Sequence, residues 1–364
     1  MRLPWYIWTS FVSVTCILIG GYWDISWHMS IGRDSFWTPA HLAIQLGGIV
    51  SGVAGSYLII STTLRRGVGI RVWGFCGPLG AFIGVWGAAT MVVSAPFDNW
   101  WHAAYGLDVK ILSPPHVVLT LGILGVAAGA VLLVISTLNG ATGAARDRLR
   151  MLILVIGGEI LVLALTAILE HTFVSNLHRA DSYRAMAIVV PVASLAIARA
   201  AGGRWATTTI AATYTGFMLL ALWILPLFPA EPKLGPVYQP ITHFIPLEFP
   251  LLVIVPAIAI DLVRARIEAW PRSRQALVLG VMFVATVFAV EWPFASFLQT
   301  PATYNWFFGT HYFAYFMQPE WYTVQHEFMP DDAFAVGMIE ALIAGTLTSW
   351  LGLAIGDAMK KVRR

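Results

Sequence analysis

Charge is what this sequence has least of. Asp, Glu, Lys and Arg make up only 11% of its 364 residues, against 58% apolar. Soluble domains carry about a quarter, because their surfaces must be solvated. A chain this poor in charge has to face lipid, and its mean hydropathy of +0.74 agrees. Cysteine is nearly absent: Cys16 and Cys76 both lie in apolar runs and read as buried, inert thiols. That excludes a disulfide scaffold and a cysteine-based metal motif. The sequence also lacks a phosphate-cradling glycine loop and a Ser/His/Asp hydrolase signature. A net charge of +3 does not indicate nucleic acid, since the basic residues sit in short clusters between apolar runs.

What is present in abundance is apolar sequence in long runs. A helical span needs about 20 predominantly apolar residues. Ten candidates satisfy this: 4–23, 39–62, 72–95, 115–138, 151–171, 183–201, 204–228, 245–263, 275–296 and 335–355. The sixth is interrupted or flanked by Arg184, Pro191 and Arg199. The first is read as a retained span and not a signal peptide, because Asp24 and His28 follow it at once. The expected fold is all-α: a polytopic membrane bundle of about ten transmembrane helices. Two regions are expected, 1–140 with the motifs described below and 141–364 with further spans and a long outer segment, 297–334.

Seventeen of the 22 Lys and Arg residues fall on one side of this arrangement. The other side holds Arg33, Lys110, Arg179, Arg184 and Lys233. By the positive-inside rule the first side is cytoplasmic and both termini lie there, as in a bacterial or archaeal plasma membrane. All nine histidines then fall at outer helix ends or in outer loops.

An internal repeat stands out among them. Residues 22–41 run Tyr-Trp-Asp-Ile-Ser-Trp-His, a polar turn, then Thr-Pro-Ala-His. Residues 96–116 run Pro-Phe-Asp-Asn-Trp-Trp-His, a turn, then Ser-Pro-Pro-His. In each copy the Asp and first His are four apart and share one helix face. Proline then fixes the start of the next helix and returns a second His to the same place. Asp24, His28 and His41 form one candidate metal set, and Asp98, His102 and His116 the other. Two imidazoles and a carboxylate suit a divalent first-row metal, and copper, zinc and iron are all compatible with that set. One such motif could be hydrogen-bonded residues in an aromatic belt; two at matching spacing favour metal, because ionisable groups at membrane depth usually serve function.

Around these motifs the chain resembles the C subunit of the copper membrane monooxygenases, the particulate methane and ammonia monooxygenases. One copper site of that family has the form Asp-x3-His-x12-His. Asp24, His28 and His41 match it, with Met29, Arg33, Asp34, Thr38 and Pro39 alongside. A second has the form Asn-x3-His-x13-His, onto which Asp98, His102 and His116 fall with Asp98 in place of the Asn. The resemblance covers about residues 15–125. It implies copper as cofactor, O₂ chemistry on a small lipophilic substrate, and other membrane subunits or further copies as partners. The same residues would also serve a copper-handling or assembly protein without catalysis, and a structural subunit holding zinc is a third reading.

Further candidates are weaker. Glu170, His171 and His178 could form another ligand set at an outer helix end. His311, His326 and Glu327 lie in the aromatic-rich outer segment, and His243 follows Pro240. Glu159, Asp261, Glu291 and Glu340 fall in or near spans, as a proton route or as packing partners.

Overall fold

The computed structural model describes residues 3–32, 37–106, 113–233, 240–315 and 333–363. The described chain is mostly helical, with one small hairpin and a long non-helical stretch before α9. Its elements are α1 (Trp5–Ser30), α2 (Pro39–Leu64), β1 (Ile70–Val72), β2 (Phe75–Gly77), α3 (Leu79–Tyr105), α4 (Pro114–Gly140), α5 (Gly143–Thr166), α6 (Leu169–Thr172), α7 (Ala180–Ala201), α8 (Ala206–Ile224), α9 (Ile254–Arg264), α10 (Arg272–Leu298) and α11 (Phe334–Met359). Among the described residues nine helices are long and apolar enough to cross a membrane. The chain is an all-α integral membrane protein. It divides into two compact units, 1–25 with 33–156 and 359–364, and 26–32 with 157–358.

The first unit is built on small residues. With lipid outside, helices gain little from hiding apolar surface and hold together by close packing. A Cβ on Gly87 of α3 would lie 2.4 Å from the backbone nitrogen of Val126 on α4. One on Gly47 of α2 would lie 2.5 Å from the Ser13 carbonyl oxygen of α1. The Ser13 hydroxyl donates to the Gly47 carbonyl at 2.5 Å, so the contact is polar as well as tight. Each of α2 and α4 opens on proline, which has no N–H to leave unsatisfied in a first turn.

In the second unit the charged residues within spans have partners. Arg199 and Arg272 both bind Asp357, at 2.8 and 3.2 Å. Arg184 reaches Asp181 and Glu340, which is how α7 carries the arginines that interrupt its apolar run. Asp261 accepts the Thr208 backbone N–H at 2.7 Å and the Thr207 hydroxyl at 2.5 Å, capping the start of α8. Arg264 lies 3.0 Å from the same carboxylate.

The span expected at 72–95 opens in the β1–β2 hairpin and becomes helix only at Leu79, and a second expected span is not a membrane-length helix at all. Residues 245–263 are not one helix: the chain is extended to Leu252, and α9 supplies only 11 residues. Pro246 and Pro250 are the cause, since proline carries no N–H and clashes with the preceding turn. Extended backbone at membrane depth persists only where protein satisfies it. Here the Ile245 N–H donates to Ser30 Oγ at 2.8 Å and the Phe249 N–H to the Tyr315 hydroxyl at 2.7 Å. The Leu251 N–H donates to the Tyr214 hydroxyl at 3.1 Å and the Leu252 N–H to Glu291 Oε2 at 2.8 Å.

Candidate metal centre

Helix α1 runs through both Asp24 and His28, so the two project from one face a turn apart. The next ligand arrives on α2. Thr38 caps that helix in an extended conformation and Pro39 begins it, which leaves His41 in the first turn, against α1. His41 Nε2 lies 3.1 Å from Asp24 Oδ1. One ligand atom from each of Asp24, His28 and His41 can be chosen so that all lie within 4.8 Å of one another. A first-row ion with bonds near 2.0–2.2 Å sets its ligand atoms roughly 3–3.5 Å apart. The donor set and its spacing therefore fit one ion after a small contraction. Asp24 Oδ1 is shut off from solvent, whereas His28 is exposed, so the group is open on one side.

The end of α1 is tied down by residues that the sequence did not single out. The Ser26 hydroxyl donates to the Ile245 carbonyl at 2.6 Å, and the Ile245 N–H returns to Ser30 Oγ. Trp27 packs on Phe244 with ring centroids 5.9 Å apart. These contacts flank His28 on the same helical turns and fix the backbone that carries it.

The second copy of the motif has a related geometry. Asp98 and His102 lie on the last turns of α3, and His116 on the first turn of α4 after Pro114 and Pro115. Asp98 Oδ1 lies 3.5 Å from His102 Nε2 and 3.7 Å from His116 Nε2. The three do not close into a mutual group as the first set does; among the described residues Asp24, His28 and His41 form the group of that kind. His102 Nδ1 lies 3.0 Å from the Gly106 carbonyl oxygen. A carbonyl can only accept, so Nδ1 carries the proton. Nε2 is left facing the Asp98 carboxylate, which His116 Nε2 also approaches. Gly106 makes the arrangement possible, since its φ of 87° swings the chain back towards His102 in a conformation that favours glycine.

Neither a family model, nor a curated protein, nor a solved structure matches this chain.

Glu170, His171 and His178 are not drawn into a ligand set. His171 Nδ1 pairs with Asp181 Oδ2 at 2.6 Å. His178 lies buried with Nε2 2.8 Å from Ser296 Oγ and its ring edge-on to Trp292. Burial lowers its pKa below the usual histidine value, partly offset by a backbone contact at Trp292. The Glu170 carbonyl accepts from the Asn176 side chain at 2.9 Å. His243 Nδ1 is 2.9 Å from Thr242 Oγ1, which bonds the Tyr312 hydroxyl. His311 is held below the usual value by burial, and next by the nearby His243. His326 and Glu327, with much of the 297–334 segment, lie outside the described residues, as do Arg33, Asp34 and Lys110. Of the carboxylates named as a proton route, Asp261, Glu291 and Glu340 have the structural partners given above. Glu159 is buried within α5. Cys16 and Cys76 are free thiols, Cys76 buried and Cys16 partly so.

Proposed function

We propose that this chain is a membrane metalloprotein in which Asp24, His28 and His41 hold a copper ion. Asp98, His102 and His116 form a second, more open metal position. The observation that carries the reading is the approach of three ligand atoms from α1 and α2 to within 4.8 Å. The resemblance of residues 15–125 to the monooxygenase C subunit supplies the choice of copper and the reaction class. Bound copper would supply one-electron exchange with O₂. The protein's part is to hold three donors in place, to keep Asp24 Oδ1 from solvent, and to leave the His28 side open to a small lipophilic substrate. Both motifs belong, by the distribution of Lys and Arg, on the non-cytoplasmic side of a bacterial or archaeal plasma membrane, in a complex with other membrane subunits or further copies.

The exposure of His28 also favours a second reading, copper handling without catalysis, since a ligand reachable from outside permits exchange of the ion. Elemental analysis with EPR on the purified protein tests the first reading, alongside His28→Ala and His102→Ala. The expected result is copper lost from the first site in one variant and from the second in the other. Zinc, iron or no metal in all three samples would remove the copper assignment. Copper that is bound and passed to an apo-acceptor, with no O₂-dependent product, would leave the handling protein.

A further inference from the structure

We propose that the β1–β2 hairpin between α2 and α3 is a docking surface for the anionic phospholipid headgroups of the bilayer these helices cross, with Arg65, Arg66 and Arg71 in the same short connection as the exposed Trp73. The hairpin is short: Ile70, Arg71 and Val72 pair with Gly77, Cys76 and Phe75. Its tip is Trp73-Gly74, both left-handed, with φ of 49° and 87°. A bulky residue rarely adopts that conformation, and a polar or small residue would turn the chain at less steric cost. Trp73 is nevertheless 86% exposed, and Val68 85%. Leu64 and Phe75 are exposed beside them.

The charge around this tip is of one sign. The sequence holds no Asp or Glu between Asp34 and Asp98. Among the described residues the arginine ion pairs use Arg150, Arg184, Arg199, Arg264 and Arg272, and none of the hairpin arginines. Three exposed arginines with no ion pair among the described residues thus share this short connection with an exposed indole.

The position of the hairpin selects the occupant. Its two feet are the ends of membrane-crossing helices, Leu64 of α2 and Leu79 of α3. The base is also fixed: Thr63 Oγ1 accepts the Cys76 N–H at 2.8 Å and lies 3.0 Å from the Cys76 carbonyl. The tip therefore stands within a few residues of the bilayer surface. A soluble anion would use the arginines and leave the tryptophan and valine in water. A headgroup layer takes both, since indole rings settle at the membrane interface and basic residues are drawn to anionic lipid there.

The test uses the full chain in nanodiscs of mixed phosphatidylcholine and phosphatidylglycerol, released and counted for retained lipid by native mass spectrometry. Wild type should retain phosphatidylglycerol over phosphatidylcholine. Each arginine at an anionic surface contributes roughly a fivefold preference, so Arg65→Gln/Arg66→Gln/Arg71→Gln should lower the preference at least tenfold. A variant with Arg148→Gln, Arg274→Gln and Lys361→Gln removes the same charge from helix ends that lack an exposed aromatic tip and should lose clearly less of it. Trp73→Ser should lower retention of both lipids alike. Circular dichroism shows that each variant is folded. No preference in wild type, an equal loss in the charge-matched control, or full retention in the hairpin variants would overturn the proposal.

Discussion

Burial of His178 against Ser296 and the Trp292 ring keeps its imidazole harder to protonate in the folded chain than in the unfolded one. The unfolded chain then takes up the proton first as pH falls. Stability is full above the ordinary histidine value of 6.5 and declines below it. The thermal midpoint of wild type should drop on crossing that value, and His178→Gln should drop less. An identical pH dependence in the two would show that His178 does not contribute. Gly106 bears on the proposed second metal position in a comparable, local way. Gly106→Ala strains a left-handed turn and frees the His102 ring from its carbonyl partner. Partners of this kind are worth 10–100-fold in metal affinity, so chelator competition should read roughly a tenfold loss at the second site and none at the first. The approach of Asp24, His28 and His41 was legible in the sequence because a four-residue step on a helix fixes a shared face and Pro39 begins the next helix. Ser26 and Ser30 were not, because their partner Ile245 lies more than two hundred positions away and only the tertiary fold brings it there.

At the scale of elements, the extended stretch before α9 departs most from the sequence expectation. Counting apolar residues over 245–263 predicts a span, and the hydropathy there does suit the membrane. The count gives no weight to Pro246 and Pro250, whose missing N–H groups rule out a regular first half. It is also blind to the hydroxyl and carboxylate groups on other helices that make an extended path tolerable. Tyr214→Phe tests this account directly. It leaves the Leu251 N–H buried without its acceptor, at a cost of roughly 1–3 kcal/mol, measured by reversible unfolding in mixed micelles. Glu291→Gln keeps a carbonyl oxygen for the Leu252 N–H and should cost less than Glu291→Leu. Equal losses for Gln and Leu would mean that the hydrogen bond is not what holds the segment. Of the spans expected over 4–23, 39–62, 72–95 and 115–138, the first, second and fourth were legible as single helices because nothing in them competes with a helix, whereas the third opens in the β1–β2 hairpin and becomes helical only at Leu79, after Pro78. Their true ends run further, to Ser30 and Tyr105 in the first and third, because Asp24, His28, Asp98 and His102 continue the helix after the apolar run has ended.

For the whole molecule, the asymmetry of Lys and Arg and the placement of both motifs make one joint statement about sidedness. Helix α2 has 26 residues, about 39 Å at 1.5 Å per residue, enough to cross a hydrocarbon core of about 30 Å. Its two ends therefore lie on opposite faces. Trp37, just before it, is 71% exposed and sits beside the His41 end; Val68, just after it, is 85% exposed. In intact cells a membrane-impermeant maleimide should label Trp37→Cys, and should reach Val68→Cys only after permeabilisation. Wild type supplies the background, since Cys76 is buried and Cys16 only partly exposed within α1. The reverse pattern would put the metal motifs on the cytoplasmic side. It would contradict the reading of the basic clusters as cytoplasmic and make an outward-facing copper chemistry untenable. Labelling of both positions in intact cells would mean that α2 does not span, against its length and composition. The expected pattern joins the two arguments physically. In the proposed orientation, the charges that hold the loops inside would also be the reason the histidine-bearing turns, poor in Lys and Arg, are carried across.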